Sequence, residues 1–287
     1  MEIAAYLTAL DDDGAALADA AALAGLTAPV PTCPGWQVRD LIRHVTYVHR
    51  WATRHITEQL ATIAEQDPEA DILAGGPPDR ELLSYYRQGL AALVAALRTA
   101  DPDLACATFM AAPTPLAFWA RRQAHETAVH RYDAQSAAAP SGPPDPLTAF
   151  GTAFAADGID ELIMGFAARR RYRLRGDENQ SLAVRTADWP GSWLIELTDG
   201  RSSVSSNPGS AASAGSADSA SGADSASGAD SASSADWADR ADCLLTGPAA
   251  GLYTFLWNRC PADQGGVTVA GDAALLPLWS ASVRVTW

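Results

Sequence analysis

Two histidines and a glutamate lie within six residues in the stretch HETAVH, which contains His125, Glu126 and His130. Imidazole nitrogens and carboxylate oxygens are common ligands of divalent cations in proteins, so this stretch suggests a metal site. The alternative is the polar side of an ordinary surface helix. The spacing differs from the HExxH zinc motif, which needs its histidines four residues apart on one helix face. His125 and His130 are five residues apart, about 140° around a helix axis, so they cannot share one metal in a regular helix.

Glu126 and His130 are the candidate ligand pair, because residues four apart lie on the same face of a helix. We expect His125 to be packed or solvated on another face. The polar face that carries the pair also contains Arg122, Gln123 and Asp133. This helix alone does not decide whether that face is buried.

A third ligand is predicted in an upstream helix, where His44 lies within an apolar stripe that includes Leu41 and Val48. A histidine in such a stripe is buried and needs a polar partner. One interpretation is a core histidine bonded to a backbone carbonyl. The alternative is a metal ligand that joins Glu126 and His130. Two nitrogens and one oxygen would then leave an open coordination position, as in catalytic zinc sites.

The elements that must position these residues follow from the hydrophobic pattern. Four long helices are predicted at about 2–25, 37–59, 79–99 and 115–138, and a further helix at about 147–170. In the second half, strands are predicted at 181–187, 192–198, 241–247 and 265–272, with a helix at 248–259 and a short helix at the end. The pattern predicts an α+β protein with a four-helix bundle over residues 1–172 and a small α+β domain over residues 173–287.

A low-complexity repeat separates the second and third predicted strands. The unit ADSASG recurs from Ala217 onward and offers almost nothing to bury. It predicts a disordered Ser/Ala/Asp insert at about 202–236, within the C-terminal domain. Aspartates at a period of six could suggest calcium, but calcium repeat loops need glycine-rich turns and denser carboxylates.

Composition excludes several classes of protein. The chain has 287 residues and a net charge of -14, and its 20 basic residues are all arginine. A chain with this excess of acidic residues lacks the basic surface that is typical of nucleic-acid-binding proteins. We expect no signal peptide, because no positively charged segment followed by an apolar stretch occurs at the N-terminus. We expect no membrane span, because no run of about 18 uncharged apolar residues occurs. Four cysteines without a CxxC pair predict free thiols and a cytoplasmic location.

Two segments carry a resemblance to a known family, VPTCPGWQVRDLIRHV (30–45) and RRQAHETAVHRYDAQ (121–135). They resemble the mycothiol-dependent maleylpyruvate isomerase family, part of the DinB/YfiT-like metal-binding four-helix superfamily. The resemblance extends to DGIDELI (157–163), TGPAAGLYTFLWNR and VTVAGD, and spans most of the chain except the insert. It implies a DinB-like four-helix bundle followed by a small α/β domain similar to a sterol-carrier fold.

The resemblance also implies a site and its cofactors. The family's metal triad falls on His44, Glu126 and His130, the set that the helical geometry selects. It implies zinc or a similar divalent ion, and mycothiol, the low-molecular-weight thiol of actinobacteria. A family arginine implicated in catalysis matches Arg259. Asp133 is a candidate cofactor contact or a support for the metal ligands, with a solvated helix residue as the alternative.

Three functional hypotheses follow. The first is a metal- and mycothiol-dependent enzyme, in which coordination to a cation generates a thiolate that attacks a small electrophile. Addition to a double bond, rotation and elimination would give a cis–trans isomerase. The second is a mycothiol S-transferase, and the third is a non-catalytic metal-binding or regulatory module. The expected partners are mycothiol and a small molecule, and the protein is expected to be a monomer or a homodimer.

Overall fold

The computed structural model describes residues 1–139, 142–169, 179–198, 201–207 and 238–283. The chain divides into two compact units, Met1–Ala149 and Phe150–Val285. The predicted domain boundary between residues 172 and 173 lies outside the described residues, as does the predicted insert from residue 208 onward. The predicted α+β class is confirmed, with helices in the first unit and a mixed sheet in the second.

The helices of the first unit are α1 (Ile3–Ala24), α2 (Val38–Thr57), the short α3 (Glu69–Ala74), α4 (Asp79–Thr99) and α5 (Pro115–Ala138). Local signals set the starts of the two helices that carry the candidate ligands. Gln37 and Asp40 form a capping box at the start of α2. At the start of α5, the Thr114 hydroxyl accepts the backbone N–H of Ala117 at 3.1 Å, and proline occupies the first turn.

Most residues of helix α5 are buried, and the helix packs against α1, α2 and α4. Its polar face is therefore buried, a point that the sequence pattern could not decide. The buried residues of this face are Arg122, Gln123, Glu126, His130 and Asp133. Buried polar groups cost free energy unless they bond to one another. The interior of this unit must therefore contain a polar network.

The second unit begins with α6 (Thr152–Asp160), which continues into a π-helical segment, Glu161–Ala167. Five strands follow: β1 (Gln180–Thr186), β2 (Ser192–Thr198), β3 (Arg201–Asn207), β4 (Cys243–Gly247) and β5 (Thr268–Gly271). Between them are a 3₁₀ turn, Ala238–Arg240, and α7 (Ala249–Leu256), and α8 (Leu275–Ser282) comes last. The strand order is β3-β2-β1-β4-β5, with β1 and β4 parallel and the other pairs antiparallel.

Several elements differ from the prediction, among them β3, α3 and α6. Strand β3 occupies residues at which the insert was predicted to begin; it is serine-rich and lies at the edge of the sheet, paired with β2 alone among the described strands. Helix α3 was not predicted. The helix predicted from residue 147 starts at Thr152, because the Asp145 carboxylate accepts the N–H of Leu147 and holds a turn there.

No helix in the described ranges is both long and apolar enough to cross a membrane.

Candidate metal centre

The antiparallel packing of α2 and α5 brings together three predicted residues that are far apart in sequence. His44, Glu126 and His130 each offer one ligand atom, and these atoms lie within 4.8 Å of one another. The Nε2 atoms of His44 and His130 both lie 3.2 Å from Oε1 of Glu126. Two imidazole nitrogens and one carboxylate oxygen therefore converge on a single point.

The cluster is buried. His44 is 4% exposed, Glu126 2% and His130 7%. A carboxylate in such surroundings is stable as an anion only where cations or hydrogen-bond donors compensate for the lost water. The environment of each group decides whether the three residues can act as ligands.

Glu126 is held as a carboxylate. Burial alone would raise its pKa, but the hydrogen bond from His130, with the charges around it, lowers that pKa well below the usual range. The fully buried Arg122 donates an N–H to Oε2 of Glu126 at 3.0 Å. Arg122 therefore occupies one carboxylate oxygen and leaves the other directed at the two imidazoles.

His130 lies between two carboxylates, since its Nδ1 is 2.8 Å from Oδ2 of Asp133 and its Nε2 faces Glu126. Burial alone would lower its pKa, but the hydrogen bonds to Asp133 and Glu126 raise it to about 9. Without a cation the ring therefore carries a proton on each nitrogen. Asp133 fixes one N–H at Nδ1, so Nε2 is the atom available to a metal.

The loop PTCPGW lies beside the cluster. Thr32 donates its hydroxyl to Oδ1 of Asp133 at 2.6 Å, and the Cys33 thiol donates to Oδ2 at 3.2 Å. The ring of Trp36 lies 5.2 Å from that of His44 and 6.4 Å from that of His130, between centroids. Cys33, His130 and Asp133 form a second group with metal-ligand spacing, which shares His130 with the first.

Asp133 is fully buried, which excludes the alternative of a solvated helix residue. It bonds the candidate ligand His130 and anchors a loop, and its role as a cofactor contact stays a prediction. His125 is also fully buried, and its ring meets Tyr6 of α1 edge-on at 6.2 Å. His125 belongs to neither candidate ligand group of the described residues.

Arg259 lies in the second unit, just after α7. Its guanidinium donates to the backbone carbonyl of Trp257 at 2.9 Å, and its backbone N–H bonds Thr254 O at 3.0 Å. The catalytic role predicted for Arg259 stays a prediction.

Arg122, Thr32 and Trp36 are site residues to which the sequence analysis gave no role. Arg122 could have been found, because it lies four residues before Glu126 on the same helix face. Trp36 closes the PTCPGW motif shortly before His44, but nothing in that spacing says that its ring meets the histidine. Thr32 meets Asp133 across 101 residues of sequence, which no local pattern encodes.

The ligand atoms of the cluster, two imidazole nitrogens and one carboxylate oxygen, are of types that bind divalent cations. Burial lowers the pKa of His44, so this ring is neutral, and Glu126 is anionic. The proton on Nε2 of His130 occupies the place where a third ligand bond would form. Behind the ligands, Arg122 and Asp133 fix their orientation, as is typical of outer residues at metal sites.

Comparisons with known proteins agree across the chain. A model of the mycothiol maleylpyruvate isomerase N-terminal domain matches residues 7–135, and a model of the C-terminal domain of the same family matches residues 153–278. The fold is similar to the crystal structure of the mycothiol-dependent maleylpyruvate isomerase and to that of a histidine-to-alanine mutant of it. Each match has a TM-score of 0.58 and 14% identity, and covers 95% of both chains. No curated protein matches the chain.

Proposed function

The chain belongs to the mycothiol maleylpyruvate isomerase family, and we propose that it is a metal- and mycothiol-dependent enzyme that directs a thiolate at a small electrophile. The observation that carries this proposal is the convergence of His44, Glu126 and His130 within one buried cluster. His44, Glu126 and His130 would hold the cation, which we propose to be zinc because zinc favours nitrogen and oxygen ligands with an open position. When bound, such a cation lowers the pKa of a thiol and supplies the thiolate.

The charges of the surrounding side chains favour an anionic partner. With His130 neutral, Arg122 contributes one positive charge, and Glu126 and Asp133 contribute two negative charges. A divalent cation would leave these groups with a net charge of +1. An anionic thiolate balances that charge, whereas a neutral thiol does not, and the balance matters because the cluster is buried.

The proposed reaction is cis–trans isomerisation of an activated double bond. The sulfur of mycothiol forms a bond to one carbon, and the double-bond electrons move towards the adjacent carbonyl. Rotation about the new single bond follows. The carbon–sulfur bond then breaks, restoring the double bond in the other geometry and the free thiolate, so no oxidant or reductant is consumed. Arg259 is the proposed anchor for a substrate carboxylate.

A cytoplasmic location is part of this proposal. It is supported by the cysteines, none of which forms a disulfide bond in the described part of the chain; they are Cys33, Cys106, Cys243 and Cys260. Free thiols persist in reducing compartments.

The test is an assay of purified protein, either zinc-loaded or treated with chelator, with and without mycothiol. Maleylpyruvate isomerisation should require both zinc and mycothiol. His44→Ala should lose stoichiometric zinc and isomerase activity together, while the matched variant His125→Ala keeps its zinc. Full zinc content in His44→Ala would exclude this triad.

A dinitrobenzene-type electrophile in the same assay separates the alternatives. A stable mycothiol conjugate, without isomerisation of maleylpyruvate, would make the protein an S-transferase. Zinc binding without turnover of either compound would make it a non-catalytic module.

A further inference from the structure

A cavity of about 390 Å³ lies in the first unit, between α2, α3 and the start of α4. Its lining includes Arg43, Tyr47 and Arg50 from α2 and Tyr85 from α4. None of the three candidate metal ligands lines it. The volume is in the range of small-molecule sites, so the cavity can be considered separately from the metal centre.

Arg50 differs from its neighbours in having no carboxylate partner among the described residues. Its guanidinium stacks on the Tyr85 ring at 3.7 Å and donates to the Tyr85 carbonyl at 3.3 Å. Its Nε is buried and has no hydrogen-bond partner in the described part of the chain. In contrast, Arg43 pairs with Asp79 at 2.7 Å, and Arg54 with Glu58 at 3.0 Å.

The position of Arg50 favours an anionic ligand. Arg50 is half-buried, so its guanidinium is partly withdrawn from water and loses hydration that an anion can replace. The planar fork of a guanidinium matches a carboxylate with two parallel hydrogen bonds. Tyr47 adds a polar group to the same lining, because its hydroxyl oxygen accepts the N–H of Asp67 while its own proton is available to a ligand.

The remaining lining limits the size and charge of the ligand. Trp51 and Tyr85 contribute aromatic surface that suits a planar apolar body. Glu65, Asp67 and Asp71 also line the cavity, and all three are exposed. Their carboxylates would repel a ligand with several negative charges, so a single carboxylate on a small unsaturated body fits best.

We propose that this cavity is a binding site for a small organic carboxylate, with Arg50 as the residue that anchors the carboxylate. The site is separate from the metal cluster and does not depend on zinc.

Benzoate and its neutral isostere benzamide are suitable probes, with binding measured by calorimetry on the full chain. Benzoate should bind with a dissociation constant in the millimolar range or tighter, and benzamide about tenfold or more weakly. Arg50→Gln should weaken benzoate binding by a similar factor. The control is Arg87→Gln, which removes an exposed arginine of α4 paired with Asp19 and should leave the binding unchanged.

Equal binding of benzamide and benzoate, unchanged binding in Arg50→Gln, or no benzoate binding to the wild-type protein would each overturn the proposal. Thermal unfolding of Arg50→Gln checks that the variant folds. If it does not, Arg50→Lys keeps the charge but loses the planar fork, and benzoate binding must still fall. His44→Ala should bind benzoate normally, which separates this test from the test of the metal centre.

Discussion

His130 is the residue through which pH would affect metal binding. Its ring contacts one carboxylate through each nitrogen, Asp133 through Nδ1 and Glu126 through Nε2. These bonds raise its pKa to about 9. Near neutral pH, a cation can use Nε2 only after the proton there has left. Proton and cation therefore compete for the same atom.

The first prediction concerns the pH dependence of zinc affinity. Because the pKa of His130 is raised to about 9, the ring is protonated throughout the range from pH 6.5 to 8.5. Each unit by which the pH falls in this range should weaken the apparent zinc affinity about tenfold. Competition with a chromophoric chelator at several pH values, corrected for the chelator's own protonation, measures this slope.

Asp133→Asn is the matched variant, because an amide can still accept the Nδ1–H of His130 but carries no charge. Its slope should be shallower at the upper end of the range, since removal of the carboxylate lowers the pKa of His130. A zinc affinity that does not vary with pH in the wild-type protein would contradict the protonated state described for His130.

Helical spacing was sufficient to select two of the three candidate ligands. Glu126 and His130 lie four apart on α5, and His44 lies within the apolar stripe of α2. The same spacing could not predict that the face bearing Glu126 is buried, because its polar composition is that of a solvated surface. Enclosure by α1, α2 and α4 decides its burial, and that is a property of tertiary packing.

At the scale of elements, a loop and a helix meet at the Asp133 carboxylate. The loop of residues 31–36 reaches α5 through Thr32 and Cys33, so the group that orients His130 also anchors the chain before α2. Each donor satisfies a lone pair of a fully buried anion. Loss of a donor would leave part of that charge uncompensated.

The second prediction is that Thr32→Val lowers the free energy of unfolding by about 1.5–3 kcal/mol, the usual value for a hydrogen bond to a charged group. Valine preserves the shape of the side chain, so the loss reports the hydroxyl. Zinc should still bind, because the ligand set is intact. Urea unfolding measures the change.

Thr8→Val is the control for that prediction. The hydroxyl of Thr8 is exposed and bonds only the Ala4 carbonyl of its own helix at 3.0 Å, among the bonds of the described residues. This change should alter the free energy of unfolding by less than about 0.5 kcal/mol. If the two variants lose the same free energy of unfolding, the hydrogen bond from Thr32 to Asp133 contributes no more to stability than an exposed hydrogen bond within a helix.

Two elements that the sequence analysis missed, β3 and the π-helical segment, each lack a recognisable pattern for a physical reason. Among the described strands, β3 pairs with β2 alone and therefore lies at the edge of the sheet. Its sequence, RSSVSSN, needs few apolar residues there. In composition it is similar to the serine-rich repeat that follows it. The π-helical turns of Glu161–Ala167 continue α6 without any change in composition that a period of 3.6 could reveal. Long helices with one buried face, such as α2, are predictable because burial of that face requires apolar residues at a regular spacing of about 3.6.

At the scale of the whole molecule, a cation at the candidate metal centre would link metal binding to folding. His44 is separated by 82 residues from Glu126, and α2 and α5 meet only in the folded chain. A cation held by both helices therefore binds the native state in preference to the unfolded state. Such binding stabilises the protein by an amount set by the free metal concentration relative to the dissociation constant.

The third prediction is that zinc raises the melting temperature of the wild-type protein. At about 100 times the dissociation constant, the native state should gain about 2.7 kcal/mol. At one fixed free zinc concentration, the gain should be smaller at pH 6.5 than at pH 8.5, because the proton on His130 competes with the cation. The chain carries a net charge of -14, so zinc could also stabilise it by weak binding to surface carboxylates. His44→Ala distinguishes the two causes, since it removes one ligand and leaves the net charge unchanged. Differential scanning calorimetry with zinc and with chelator should therefore show a shift for the wild-type protein and none for His44→Ala, and equal shifts would assign the effect to the acidic surface.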